Sequence, residues 1–223
     1  MKYLIFILSL TTFLFSCNPK NNRNNKNTSK YKKESFKQLK DEGRVGDYVE
    51  HFDSVNNIYS NFKYKISFDG PNDWVYDTGV NEYTIYRTYQ ADSVLTFSFN
   101  VRPYDSKFDN PSDDIWESYN RSKQKLDKTI IENLEKQLNS KVEDFISSKY
   151  FIKNKIMVRR SYKMLIRDFD FEYYITDISL QTIIEPNYLI TFTLSVPSLF
   201  YENNPNYYEN LFNGIYFLID EKN

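Results

Sequence analysis

Between Val142 and Val196 the chain is rich in β-branched and aromatic residues, which fall into four runs. These are Val142 to Lys149, Ile156 to Arg167, Phe171 to Thr182 and Tyr188 to Val196. Runs of this composition separated by turn residues predict an antiparallel meander. Period-two alternation then assigns faces. In the second run Val158, Tyr162, Met164 and Ile166 share one face, while Arg159, Lys163 and Arg167 share the other. In the fourth, Tyr188, Ile190, Phe192, Leu194 and Val196 alternate with Leu189, Thr191, Thr193 and Ser195, and Pro197 ends the strand.

Upstream, Phe62, Tyr64, Ile66 and Phe68 alternate with Lys63, Lys65 and Ser67, which predicts a strand broken by Asp69-Gly70-Pro71-Asn72. Trp74 follows and is expected to be buried. Tyr83 to Tyr89 and Val94 to Val101 read as a hairpin about Gln90-Ala91-Asp92-Ser93, with Leu95, Phe97, Phe99 and Val101 inward. Asn110-Pro111-Ser112 and Asp113-Asp114 mark a helix start, with Ser112 or Asn110 as cap and the acids at the positive end of the helix dipole. Ile115, Tyr119, Leu126, Ile130, Leu134 and Leu138 keep helical spacing, so one amphipathic helix of about 25 residues is expected. After the meander, Asn203 to Asn213 reads as a short helix closed by Gly214, and Ile215 to Ile219 as a final buried strand. Residues 31–57 are charged and sparsely apolar, and fit either a helix or a linker. The fold class is α+β, built on an antiparallel sheet.

The N-terminus fixes the expected compartment. Lys2, an apolar run from Tyr3 to Phe15 and the ending Leu14-Phe15-Ser16-Cys17 read as a signal peptide over 1–16, too short to span a bilayer, with the ending of a bacterial lipobox. Cys17 is then the lipid attachment site, and lipidation uses the only cysteine in the chain. Residues 17–45 are expected to form a disordered tether rich in Asn, whose cations Lys20, Arg23, Lys26, Lys30, Lys32 and Lys33 suit anionic headgroups. Residues 46–223 form the expected single domain. Seven of the 29 basic residues precede Glu34 and all 30 acids lie at or after it, so residues 34–223 carry a formal charge of -8. An exported acidic domain without a basic stripe argues against nucleic acid as partner. The expected location is the bacterial cell envelope, held to a membrane by lipid on Cys17.

The chemistry-bearing residues are few. The five glycines, Gly43, Gly46, Gly70, Gly79 and Gly214, form no phosphate-cradling loop. His51 is the sole histidine and has no partner for metal binding or nucleophile activation. Asp168, Asp170 and Glu172 near a hairpin tip could hold calcium or act as an acid and base pair, but any solvated hairpin tip shows the same alternation. No catalytic residue, metal ligand or cofactor site is assigned. The row Arg159, Lys163 and Arg167 is the candidate interaction face for an envelope protein partner. The 20 Tyr and 18 Phe follow the same AT-rich codon usage as the abundant Asn, Lys and Ile. A tyrosine-lined cleft for a saccharide or another small ligand is the alternative.

The order of elements carries a resemblance. A Tyr-x-Ile strand, Pro71-Asn72-Asp73-Trp74, a hairpin, a long helix, the meander ending in Leu194-Ser195-Val196-Pro197, a short helix and a last strand resemble the PsbP-like superfamily, which includes PsbP, the Mog proteins and DcrB-like envelope lipoproteins. The resemblance runs from Phe62 to Ile219. It implies an α/β/α sandwich around an antiparallel sheet and an accessory or docking role with no shared active site. The Ser-Phe pair that usually ends the last element is replaced by Ile215-Tyr216-Phe217, and the metal-binding histidines of some plant members have no counterpart. The expected function is that of a non-enzymatic, lipid-anchored envelope accessory or protein-interaction module, with ligand-binding lipoprotein as the alternative.

Overall fold

The computed structural model describes residues 50–78, 83–90, 94–104, 114–168, 171–184 and 187–218. Residues 1–16, Cys17 and the tether 17–45 lie outside them. The described chain divides into two compact units, 73–213 and 50–72 with 214–218.

In the smaller unit β1 (Glu50–Asp53), β2 (Ile58–Asn61), β3 (Ile66–Asp69) and β11 (Ile215–Phe217) form an antiparallel sheet in the order β1-β2-β3-β11. Residues 50–53, compatible by composition with helix or linker, are therefore strand. Asp53 Oδ1 accepts from the amides of Val55 (2.9 Å) and Asn56 (3.3 Å), and Asn57 at φ 54° completes the turn into β2. The alternation from Phe62 to Phe68 does not make one strand. Asn61 Oδ1 accepts from the Tyr64 amide at 3.1 Å and Lys65 takes φ 53°, so the chain reverses over 62–65 and only Ile66 to Asp69 is extended. A side chain that can satisfy a turn amide outweighs the hydrophobic period.

The larger unit is built on β4 (Val75–Thr78), β5 (Thr84–Tyr89), β6 (Thr96–Pro103), β7 (Val142–Ile152), β8 (Lys155–Asp168), β9 (Phe171–Ile184) and β10 (Tyr188–Pro197). These make a seven-stranded antiparallel sheet in the order β4-β5-β6-β10-β9-β8-β7. The predicted meander is its β7 to β10 half, and the predicted hairpin is β5–β6. Among the described residues four helices accompany it: α1 (Ile115–Arg121), α2 (Lys123–Leu138), α3 (Ser198–Asn203) and α4 (Pro205–Asn210), the last running into a 3-10 turn over Leu211–Gly214.

Alternation along the strands decides what each face buries. Phe97, Phe99, Ile178, Leu180, Ile190, Phe192, Leu194 and Met157 are buried on one face, where Phe99 meets Phe192 edge to face at 4.8 Å and Phe97 meets Phe212 at 5.2 Å. That face receives α3, α4 and the 3-10 turn. On the other face Ile115, Tyr119, Leu126, Ile130 and Leu134 of α1 and α2 pack on Val158, Tyr162, Met164, Ile175 and Leu189. Helices on both faces of one antiparallel sheet make this unit an α/β/α sandwich, as expected. Trp74 is buried too.

The long helix is not continuous. It breaks at Ser122 (φ -123°, ψ 18°), whose amide bonds back to Tyr119 O at 3.1 Å. The apolar stripe runs through the break, which is why its spacing reads as one helix. Its N-cap is Asp114, whose carboxylate accepts from the Glu117 amide at 2.8 Å. The expected caps Asn110 and Ser112, and Asp113, lie outside the described residues.

Candidate functional site

The predicted basic row is real as geometry: Arg159, Lys163 and Arg167 fall at odd positions of β8, on the face that receives α3 and α4. The row is matched by acids. Arg159 pairs with Glu209 of α4 at 2.6 Å, Lys163 with Glu202 of α3 at 2.7 Å and Arg167 with Glu172 of β9 at 2.9 Å. Lys163 also lies 3.5 Å from Asp144 of β7. The Glu202 hydrogen bond, followed by the smaller effect of Asp144, holds the Lys163 ammonium above its ordinary pKa. What the row presents is a set of ion pairs, not open positive charge.

Beside Lys163 the sheet and α3 leave a groove of about 490 Å³, lined by Glu143, Asp144, Tyr173, Tyr174, Leu199 and Phe200, with Glu202 at its edge. It lies where β10 ends at Pro197, opposite Ile175, and the chain turns into α3. Leu199 and Phe200, neighbours on α3, are 66% and 46% exposed, and Tyr174 is exposed as well. Consecutive positions of a helix cannot share one buried face, so a six-residue helix that seats Ser198 on Thr176 (2.9 Å) turns Leu199 and Phe200 outward. Tyr174 donates to Glu143 at 3.3 Å, and the charge of Glu143 is the main reason its phenol is held above its ordinary pKa.

A second polar feature runs through the sheet itself. Asp77, Arg87, Ser98, Thr193, Ser179, Arg160 and Ser147 stand opposite one another across all seven strands, so one complete rung of the sheet is polar. Its Ser98, Ser179, Arg160 and Ser147 are buried. The neighbouring rung holds Tyr162, Asp177 and Ser195. Arg160, 1% exposed, donates to Gln181 Oε1 at 3.0 Å and reaches the Tyr119 hydroxyl at 3.4 Å, and Gln181 in turn donates to Thr191 at 3.1 Å. Tyr119 donates to Asp127, which also accepts from Lys123 at 2.7 Å and Ser147 at 2.7 Å. Asn100 Nδ2, Asp177 Oδ1 and Ser179 Oγ are buried without a hydrogen-bond partner among the described residues. The signal is present in the sequence, where Ser, Thr, Asp and Gln alternate with Ile and Leu in β9 and β10. It reads as a solvated face, and two helices bury part of it instead.

The remaining candidates are dispersed. His51 is half-buried in β1 opposite Ser60. Glu172 is paired with Arg167, while Asp170 and the Asp168 side chain lie outside the described residues. Among the described residues no three His, Cys, Asp or Glu side chains are grouped to hold a metal.

The chain is similar in fold to a solved structure. The cyanobacterial PsbP protein CyanoP of Synechocystis sp. PCC 6803 superposes with a TM-score of 0.52 at 17% identity, over 72% of this chain and 91% of that one. The chain has a PsbP-like fold. A protein of Bacteroides thetaiotaomicron VPI-5482 aligns with this PsbP-like chain at a TM-score of 0.42 and 12% identity, covering 71% of this chain and 47% of that one. No protein-family model matches the chain and no curated protein matches it in sequence.

Proposed function

We propose that the protein is an accessory module of the bacterial envelope, lipid-anchored through Cys17, that docks a protein partner on its PsbP-like domain and performs no catalysis of its own. The observation that carries this reading is the groove beside Lys163. Leu199, Phe200 and Tyr174 stay exposed there in a region rimmed by charged side chains, the make-up of a protein-docking patch with aromatic anchors inside and polar groups around them. An accessory role is also what the fold resemblance implies. The lipid anchor rests on the Leu14-Phe15-Ser16-Cys17 ending, and the tether 17–45 would give the domain reach from the membrane surface.

The saccharide alternative draws on Tyr174 in the same groove, since Tyr173, although it borders the groove, packs against the core on the other face of the sheet. An open groove with two exposed apolar neighbours on α3 suits a protein better than a small polar ligand, which needs convergent donors and acceptors in an enclosed site. The test is site-specific photo-crosslinking in cells, with the probe at Leu199. A discrete protein adduct that disappears on Phe200→Ser supports docking. No adduct, together with binding of envelope oligosaccharides that Tyr174→Ala abolishes, replaces it with the ligand reading. The anchor is tested separately: Cys17→Ala should leave the membrane fraction and take up no labelled fatty acid.

A further inference from the structure

The lining of the groove contains three carboxylates, Glu143, Asp144 and Glu202, and one ammonium, Lys163, which two of those carboxylates already share at 2.7 and 3.5 Å. Asp144 and Glu202 are well exposed, so their charge faces whatever enters. Tyr174 senses the same negative field through Glu143. The apolar part is Tyr174, Leu199 and Phe200, and the cation nearest to it, Arg167, acts on the Tyr174 phenol but is itself paired with Glu172 at 2.9 Å. Backbone pairing is disfavoured at this end of the sheet edge: the register of β7 shifts between Glu143 and Ile146, with Asp144 at φ 54°, and such a bulge blunts strand addition. An occupant must therefore bind through its side chains.

We propose that the groove receives a cationic segment of a partner protein, with a bulky apolar residue seated among Tyr174, Leu199 and Phe200 and flanking Lys or Arg side chains against Glu143, Asp144 and Glu202. This deepens the docking reading above and rests on it. Charge complementarity selects this occupant over the others. An anionic bilayer surface meets three carboxylates, and a second copy brings a domain that itself carries a formal charge of -8 over residues 34–223.

The experiment uses the mature lipoprotein in nanodiscs of neutral lipid. Two short fluorescent peptide probes of equal length are compared by anisotropy: one with a central Phe flanked by Lys, and its counterpart with the same Phe flanked by Glu. The Lys-flanked probe should bind and the Glu-flanked probe should not. Leu199→Ser with Phe200→Ser should weaken binding about tenfold, the loss typical of removing a central apolar anchor. Both residues are exposed, so the fold should tolerate the change. Glu143→Gln with Glu202→Gln should weaken it and flatten its salt dependence, whereas Glu117→Gln with Glu132→Gln, the same charge change on α1 and α2, should leave it unchanged. Equal loss in both double variants means binding to net charge alone and overturns the proposal. If both probes bind and both need Phe200, the cationic chemistry is wrong while docking survives. If neither responds to Phe200→Ser, docking at this groove fails as well. Groove-dependent capture by anionic vesicles, or self-association that Phe200→Ser removes, would likewise overturn it in favour of a membrane or a second copy.

Discussion

Arg160 lies over the ring of Tyr119, its guanidinium carbon 4.8 Å from the ring centroid, beside the apolar core that includes Leu126, Ile130, Val158 and Met164. A buried cation is costly unless its donors find acceptors, and here Gln181 and Tyr119 take two of them while the Tyr119 ring lies under the guanidinium. Negative charge arrives one step away, through the Tyr119 hydroxyl, from Asp127. Burial alone would raise the carboxyl pKa of Asp127. Hydrogen bonds from Lys123, Tyr119 and Ser147 outweigh that effect and hold it below its ordinary value. The chain of contacts ties α1 and α2 to β7, β8, β9 and β10.

Arg160→Ala should therefore cost about 2–5 kcal/mol, because it opens a cavity and leaves Gln181 Oε1 without its donor, while Tyr119 keeps its bond to Asp127. Arg160→Met fills the volume but still leaves Gln181 Oε1 without its donor, so it should cost clearly less. Urea unfolding of both variants checks this. Equal midpoints for the two would mean that the loss is one of polar partners alone and that packing contributes nothing.

Asp114 closes the first turn of α1 and also lies 3.3 Å from the Lys149 ammonium of β7. Asp114→Ala should lower stability by about 1 kcal/mol through the lost cap, since the partly exposed ion pair adds little. Lys149→Met should have a smaller effect than Asp114→Ala. The reverse order in thermal melts would assign the stabilisation to the ion pair.

How far the sequence is legible follows from which signals are local. The β7 to β10 alternation, the β5–β6 hairpin and the Ile115 to Leu134 stripe are local and appear as expected. The turn at 62–65 is decided by one Asn61 side-chain bond and one left-handed residue, Lys65, which the alternation of Phe62, Tyr64, Ile66 and Phe68 conceals. The break at Ser122 leaves no trace in the spacing of apolar residues. At the candidate site, Arg159, Lys163 and Arg167 are identifiable as one row, but their acidic partners are 50 residues away for Arg159 and 39 for Lys163, distances at which only the fold brings residues together. Arg160 occupies the middle of the face that Val158 and Tyr162 turn inward. Counting by two already puts it there, and only the expectation that arginines point outward obscures it.

Gly214 is noticeable in the sequence for a different reason from the one that matters. Its position marks it as a helix-ending glycine. In the structure a Cβ at this position would lie 2.4 Å from Asp69 O and 3.3 Å from the Phe68 ring, because the chain passes against β3 as it enters β11. Gly214→Ala should destabilise by about 1–3 kcal/mol, the usual cost of forcing extra volume against fixed atoms. Hydrogen exchange should localise the loss to the β3–β11 pairing, where Ile215 faces Phe68. An alanine variant with unchanged exchange there would show that the backbone approach relaxes freely.

Asp177 supplies a pH dependence whose sign is fixed. Burial pushes its carboxyl up to about 6 from an ordinary 3.8, and hydrogen bonds from Ser195 and Tyr162 offset only part of that effect. Its Oδ1 has no hydrogen-bond partner among the described residues. The folded protein thus holds a proton on Asp177 that the unfolded chain releases near its ordinary pKa of 3.8. The associated stabilisation is complete below that pH and is lost as pH rises through about 6. A rise from 3.8 to about 6 corresponds to about 3 kcal/mol. Asp177→Asn keeps the shape without the charge. The variant should match the wild type near about pH 4 and exceed it by roughly 2–3 kcal/mol at about pH 7.5, with the difference growing between those limits. Unfolding midpoints measured at intervals across that range decide the matter. A difference that does not change with pH would mean that Asp177 is ionised throughout and that its burial does not hold the proton.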